Sequence, residues 1–132
     1  MKYTHVWLGP LAAVALLCAY GTHANNLGFL KNTASALLTD EDRELQRAAI
    51  MVVLEDPNAK SAKDWKNPNT GHSGAIQSQG NFRSDDGLHC RKLKISNLAN
   101  GLKNEATYPV CKTTAGEWIA ASGKKLTKAT EQ

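Results

Sequence analysis

The spacing of apolar residues changes twice along the chain. From Val6 to Leu17 they run almost without interruption. At Leu45, Ala48, Ala49, Val52 and Val53 they recur at three- and four-residue intervals, the stripe of an amphipathic helix. From Ile76 onward the period falls to two, which is strand spacing.

The helical stretch has clear ends. Thr39-Asp40-Glu41-Asp42 matches a capping box, with Thr39 as cap and Asp42 reaching back. Acids at 40, 41, 42 and 44 fill the first turn, where the helix dipole favours negative charge. Asp56-Pro57 closes it, because the residue before a proline avoids helical geometry. The spacing predicts a helix over Asp40–Glu55. Ahead of it, Asn25–Leu38 reads as a loose helix or a disordered lead-in. Behind it, Asn58–Ser73 reads as a loop holding Pro68, Gly71 and several Asn, with Trp65 in the middle.

Four strands follow in the pattern. Ile76, Ser78, Gly80 and Phe82 share one parity and make the first. Ser84-Asp85-Asp86-Gly87 is a turn by composition. Leu88–Ala99 and Leu102–Lys112 flank Asn100-Gly101, a strong signal for a two-residue hairpin turn. Glu117–Ala121 is a short fourth strand, and the Lys-rich stretch Ser122–Gln132 reads as a mobile tail. If Asn100 and Gly101 are the loop, facing residues have numbers that sum to 201. One face then gathers Leu93, Ile95, Ala99, Leu102, Ala106, Tyr108 and Val110, for the helix to cover. The other gathers Lys92, Lys94, Ser96, Lys103, Glu105 and Thr107, together with the cysteines. Pro109 cannot donate a ladder bond and marks a bulge or strand end. The expected class is α+β: one N-terminal helix on a small antiparallel meander of about four strands.

The N-terminal apolar run changes the setting. Met1-Lys2 gives a positive start, the run is about a dozen residues against the roughly 20 a bilayer-spanning helix needs, and Thr22-His23-Ala24 offers a small-residue exit. These are the parts of a secretory signal peptide, cut after Ala24. Residues 1–24 are then the signal, 25–38 the lead-in, 39–121 one domain and 122–132 the tail. Cys18 follows Leu16-Leu17, a bulky pair that suits a lipid-attachment box poorly. Of the three cysteines, Cys90 and Cys111 stay with the mature chain. In an oxidising compartment an even pair reads as one disulfide, and 90 plus 111 is 201, so the hairpin register sets the two opposite each other. A metal site would need more ligands. His89 adjoins Cys90, but no Cys-x-x-Cys or His-x-x-x-His occurs.

The chain has 132 residues, 42% of them hydrophobic, with a formal net charge of +4. That excludes a multidomain enzyme and end-to-end disorder. The bases, such as Lys60, Lys63 and Lys66 or Arg91, Lys92 and Lys94, are not interleaved with aromatics, which argues against a nucleic-acid groove. A His beside Ser, as at His72-Ser73, is no triad, and Asp85-Asp86 is explained by turn chemistry. The sequence calls for no catalytic residue, no metal and no cofactor.

Trp65 through Gly74, then Gly87-Leu88-His89-Cys90-Arg91, Val110-Cys111-Lys112 and Gly116-Glu117-Trp118 occur in an order with a family likeness. With the helix before them, they resemble the C-terminal domain of rickettsial-type 17 kDa outer-membrane surface antigens, over Thr39 to Ile119. The resemblance implies a bacterial envelope location and a small domain without established chemistry. Members typically carry a lipidated cysteine and a glycine-rich stretch before this domain. Neither a good lipid box nor a glycine zipper is found here, which favours a soluble periplasmic or secreted form over outer-membrane anchoring. The expected function is non-catalytic, by binding or structural support, with an envelope protein or cell-wall component as partner. The alternative is a periplasmic inhibitor or modulator of a secreted enzyme such as a cell-wall hydrolase. No nucleic acid and no permanent transmembrane span are expected. Aromatics flanked by Asn and Gly suit recognition. The candidate contact surface therefore joins the loop Trp65–Ser73, with Asn67 and His72, to the strand rim near Trp118.

Overall fold

The computed structural model describes residues 34–130. The expected signal peptide, its expected cleavage after Ala24, Cys18 and the first part of the expected lead-in lie outside the described residues. A 3-10 helix, Ala34–Leu37, leads into α1, Asp40–Glu55. Six strands follow: β1 Ala62–Lys66, β2 Ser73–Ser84, β3 His89–Ala99, β4 Leu102–Lys112, β5 Trp118–Ala120 and β6 Leu126–Lys128. They form one antiparallel sheet in the order β1-β2-β3-β4-β5, with β6 beside the far half of β2.

The α+β class and the disulfide stand, but there are more than four strands. β1 lies inside the stretch expected to be loop. It pairs Trp65 with Gly74, so the indole faces the core. The polar tail also contributes a strand, pairing Leu126 with Ser84 and Lys128 with Phe82. Both strands are short and mostly exposed, so neither carries the alternation that marks a strand in sequence.

Helix α1 begins with a complete capping box. The Thr39 hydroxyl accepts from the Asp42 N–H at 3.2 Å, and the Asp42 carboxylate accepts from the Thr39 N–H at 2.8 Å. The stripe it buries is rotated from the expected one. Ala49 and Val53 are buried with Asp42 and Leu54, whereas Ala48 and Val52 face solvent. The cause is Asp42, which turns inward to polar partners on the sheet and carries the buried arc toward Leu54.

The hairpin register is the expected one throughout: Ala99 faces Leu102, Leu93 faces Tyr108 and Cys90 faces Cys111. Asn100 and Gly101 take φ of 50° and 76°, the left-handed pair of a twist-matched hairpin turn. Cys90 and Cys111 are bonded. β2 departs from simple alternation at a bulge between Ser78 and Asn81. The bulge restarts the parity, so Phe82 pairs with Cys90 and leaves the face that holds Ile76.

Two cores result. The larger lies between helix and sheet, around Val53, Trp65, Ile76 and Leu93. The smaller lies on the opposite face, where Ala121, Phe82, Leu88 and Leu126 enclose the disulfide. The cysteine face is therefore wet only away from that end. The helix packs across β1 and β2, which leaves Leu102 42% and Tyr108 49% exposed on the face expected to be covered.

Of the polar residues that share the apolar parity of β3, Asn97 and Arg91 are buried. Asn97 accepts from the Gln46 amide at 2.7 Å and donates to the Ser35 hydroxyl at 3.1 Å, tying the 3-10 helix and α1 to the sheet. Arg91 is 2% exposed. Its Nη1 donates to the carbonyls of Val53 at 2.6 Å and Asp56 at 2.7 Å, and its Nε to Asn81 at 3.0 Å. The last turn of α1 has no basic residue of its own. Arg91 supplies the cation that orphan helix-end carbonyls favour.

Candidate functional site

The densest polar cluster sits at the N-terminus of α1. Asp42, 0% exposed, is its centre. One carboxylate oxygen takes bonds from the Asn67 amide at 2.7 Å and the Thr70 hydroxyl at 2.8 Å. The other takes the Thr39 N–H and His72 Nδ1, each at 2.8 Å. Burial pushes this carboxyl up, but the four donors together outweigh it and hold the group well below the usual carboxylate range. His72 Nε2 meets the Asn100 side-chain oxygen at 3.2 Å, so both ring nitrogens face acceptors. The Asp42 bond and then the Asn100 bond raise the His72 pKa. The Asp42–His72 pair thus links helix, β1–β2 loop and hairpin turn.

A carboxylate beside an imidazole invites comparison with an acid–base dyad. The geometry opposes it. Nε2 is occupied by Asn100, Thr70 donates to Asp42 and not to His72, and His72 is only 7% exposed. A general base needs its free nitrogen within reach of a substrate proton. Asn67 is likewise structural: its amide spans Asp42 and Glu41, and its oxygen accepts the Asn69 N–H at 2.9 Å. Its own N–H and the His72 carbonyl close the loop at 2.9 Å.

Trp65, expected as an aromatic in a polar loop, is 5% exposed. Its ring lies over Gly74, where an added Cβ would stand 2.5 Å from Nε1. The glycine leaves the space the indole fills. Trp65 is core, not a stacking platform. Trp118 lies elsewhere. It is half-buried on β5, where Nε1 donates to Glu55 at 2.8 Å, the ring meets His89 edge-on at 5.9 Å and Lys112 stands 5.6 Å above it. Trp118 pairs with Lys112, which faces His89, whereas the Trp65–Ser73 loop joins β3 near Leu98. Nine residues of strand separate the two rows, roughly 30 Å. The candidate contact surface is therefore not one surface: Trp65, Asn67 and His72 come together and are buried, and Trp118 stands at the other end of the sheet.

Asp42 and Arg91 are the structurally decisive residues that sequence reasoning placed in lesser roles. For Arg91 the signal was its parity, a basic residue in step with Leu93 and Ile95. Among the described residues, no group of three or more His, Cys, Asp or Glu is disposed to hold a metal ion. A groove of about 590 Å³, lined by Ile50, Leu93, Ile95, Tyr108 and Val110, opens beside β4.

The model of the 17 kDa outer membrane surface antigen family matches residues 52–119. The chain belongs to that family. The match runs from the last turn of α1 through β1–β4 to Ile119 in β5, and so includes the disulfide and Arg91. The residues under the match include those that hold the sheet together. The family fits an envelope association and is not a known enzyme family. No described helix is long and apolar enough to cross a membrane. No curated protein and no solved structure matches the chain.

Proposed function

We propose that this protein is a non-catalytic component of the bacterial cell envelope. It is exported by a signal cut near Ala24 and acts in the periplasm or at the outer membrane by binding or structural support. The observation that carries the reading is a fully buried Cys90–Cys111 disulfide inside the segment that matches an outer-membrane antigen family. Such a bond persists in oxidising compartments and not in the cytosol. The polar cluster around Asp42 supports the absence of chemistry, since its donors and acceptors are spent on one another. Partner contact would run through exposed surface such as the Trp118 rim, and not through Trp65, Asn67 or His72.

Fractionation of cells with mass spectrometry of the mature N-terminus tests this. The reading predicts an envelope protein starting at Asn25. A cytoplasmic protein retaining residues 1–24 would overturn it. Pull-down of a stoichiometric secreted enzyme would replace structural support by inhibition.

A further inference from the structure

Among the described residues, the outer edge of β4 has no strand partner for most of its length. β5 pairs only with Val110, Cys111 and Lys112. In the hairpin, residues facing across alternate between bonded and non-bonded pairs, starting from the bonded pair Ala99–Leu102 beside the turn. Even-numbered residues of β4 therefore bond to β3, and odd-numbered ones point their N–H and C=O outward. The bond from the Ala121 N–H to the Pro109 carbonyl, at 3.0 Å, confirms that direction. Pro109 offers no N–H on the open side, a usual device for ending an edge. Lys103, Glu105 and Thr107 keep outward backbone groups with no backbone partner among the described residues.

The open window has two fixed ends, the turn at Asn100-Gly101 and the block at Pro109 with β5. Gly101 to Thr107 is symmetric about Asn104. Natural edges often discourage pairing with charge. Here the charges alternate in sign, and that makes the edge complementary to itself. A two-fold axis through Asn104 sets Lys103 opposite the partner's Glu105 and Glu105 opposite the partner's Lys103. Both pairs join outward-pointing residues, so each exchanges two ladder bonds. Shifting the axis to Glu105 would oppose two carboxylates, which is unfavourable. Shifting it to Ala106 would set Leu102 against the partner's Val110, which β5 already occupies.

The apolar surface agrees with this placement. Antiparallel pairing leaves both copies of α1 on one side of a continuous sheet. On that side, beside the open edge, lie exposed Leu102 and Tyr108 and the groove of about 590 Å³. The axis through Asn104 sets Leu102 against the partner's Ala106. Tyr108 comes beside the partner's hairpin turn. Glu105, already 3.0 Å from Lys94, gains a second cation from the partner's Lys103.

We propose that the protein forms a two-fold dimer by antiparallel pairing of β4 with β4 of a second copy, centred on Asn104. Such an isologous contact closes on itself and does not propagate. Sedimentation of the envelope-purified, disulfide-intact protein over a concentration series reads it. The wild type should be dimeric. Lys103→Glu should weaken the dimer about tenfold or more, because each dimer contains the pair twice. The double swap Lys103→Glu/Glu105→Lys should restore it. Lys103→Pro removes an N–H that bonds to no described backbone group, and should weaken the dimer through the backbone alone. Circular dichroism confirms that each variant is folded. The amides of Lys103, Glu105 and Thr107 should exchange slowly in the wild type and rapidly in Lys103→Glu. A wild type monomeric up to about 1 mM, far above the range of a specific contact, would overturn the proposal. So would a dimer indifferent to these variants.

Discussion

Replacing Arg91 by Met should cost a large share of the stability. The side chain reaches the helix C-terminus from the sheet, with Nη1 on the carbonyls of Val53 and Asp56 and Nε on Asn81. Hydrogen bonds to a charged group are worth about 1.5–3 kcal/mol each, so the two carbonyl contacts represent roughly 3–6 kcal/mol gross. Against this stands the cost of burying a guanidinium at 2% exposure, which an apolar replacement removes. Burial also lowers the Arg91 pKa, the mark of that cost. The net loss should be about 2–4 kcal/mol, out of the 5–15 kcal/mol typical of a domain. Thermal unfolding of the oxidised protein should then show a melting point lower by roughly 10–25 °C. Hydrogen exchange should localise the first opening to the last turn of α1. Arg91→Lys should not rescue it, since one ammonium cannot reproduce the fork that spans helix and β2. A loss under about 1 kcal/mol would show that solvent satisfies those carbonyls equally well, and would refute the reasoning.

The Asp42–His72 pair makes stability depend on pH in two directions. The folded His72 pKa is raised above 6.5, so its contribution is full below that value and lost as pH rises through the folded pKa. The folded Asp42 pKa is depressed below 3.8, so its contribution is full above that value and lost as pH falls. Melting points should be highest between these limits and decline on both sides, and Asp42→Asn should flatten the profile; a His72 resonance titrating below 6.5 would contradict this. Gly74→Ala would place a Cβ 2.3 Å from the Ser96 carbonyl and 2.5 Å from the Trp65 indole. Overpacking of that kind costs about 1–3 kcal/mol, and indole emission should shift to longer wavelength, whereas an unchanged spectrum and stability would refute the fit of Trp65 over Gly74. Truncation before Leu126 strips β6 and one wall of the smaller core. Dithiothreitol should then reduce Cys90–Cys111 faster than in the full chain, and equal rates would mean that the tail does not protect it.

The register of β3 and β4 was legible because a turn of defined geometry and a residue pair of defined chemistry counted to the same sum. The capping box was legible because its partners lie three residues apart. β1 and β6 were not, since strands held by pairing with a longer neighbour need no hydrophobic alternation of their own. Phe82 changed faces because the alternating count ran through a bulge, whose flag in the sequence is Gly80, at φ 110°. The exposure expected of Trp65, Asn67 and His72 is absent for a related reason: a polar stretch was read as exposed. Its polar side chains were already matched to Asp42, 25 to 30 residues earlier in the chain. Local polarity does not reveal a distant partner. The same holds for Arg91 and Asn97, whose parity marked them as inward while their composition marked them as surface.

The cross-strand Cys90–Cys111 bond underlies both the fold and the proposed envelope location. Peptide mapping of protein taken directly from the envelope, alkylated before denaturation and without reductant, measures it. The peptides carrying Cys90 and Cys111 should be recovered joined and unalkylated. Recovery of both as separate alkylated peptides would contradict the account.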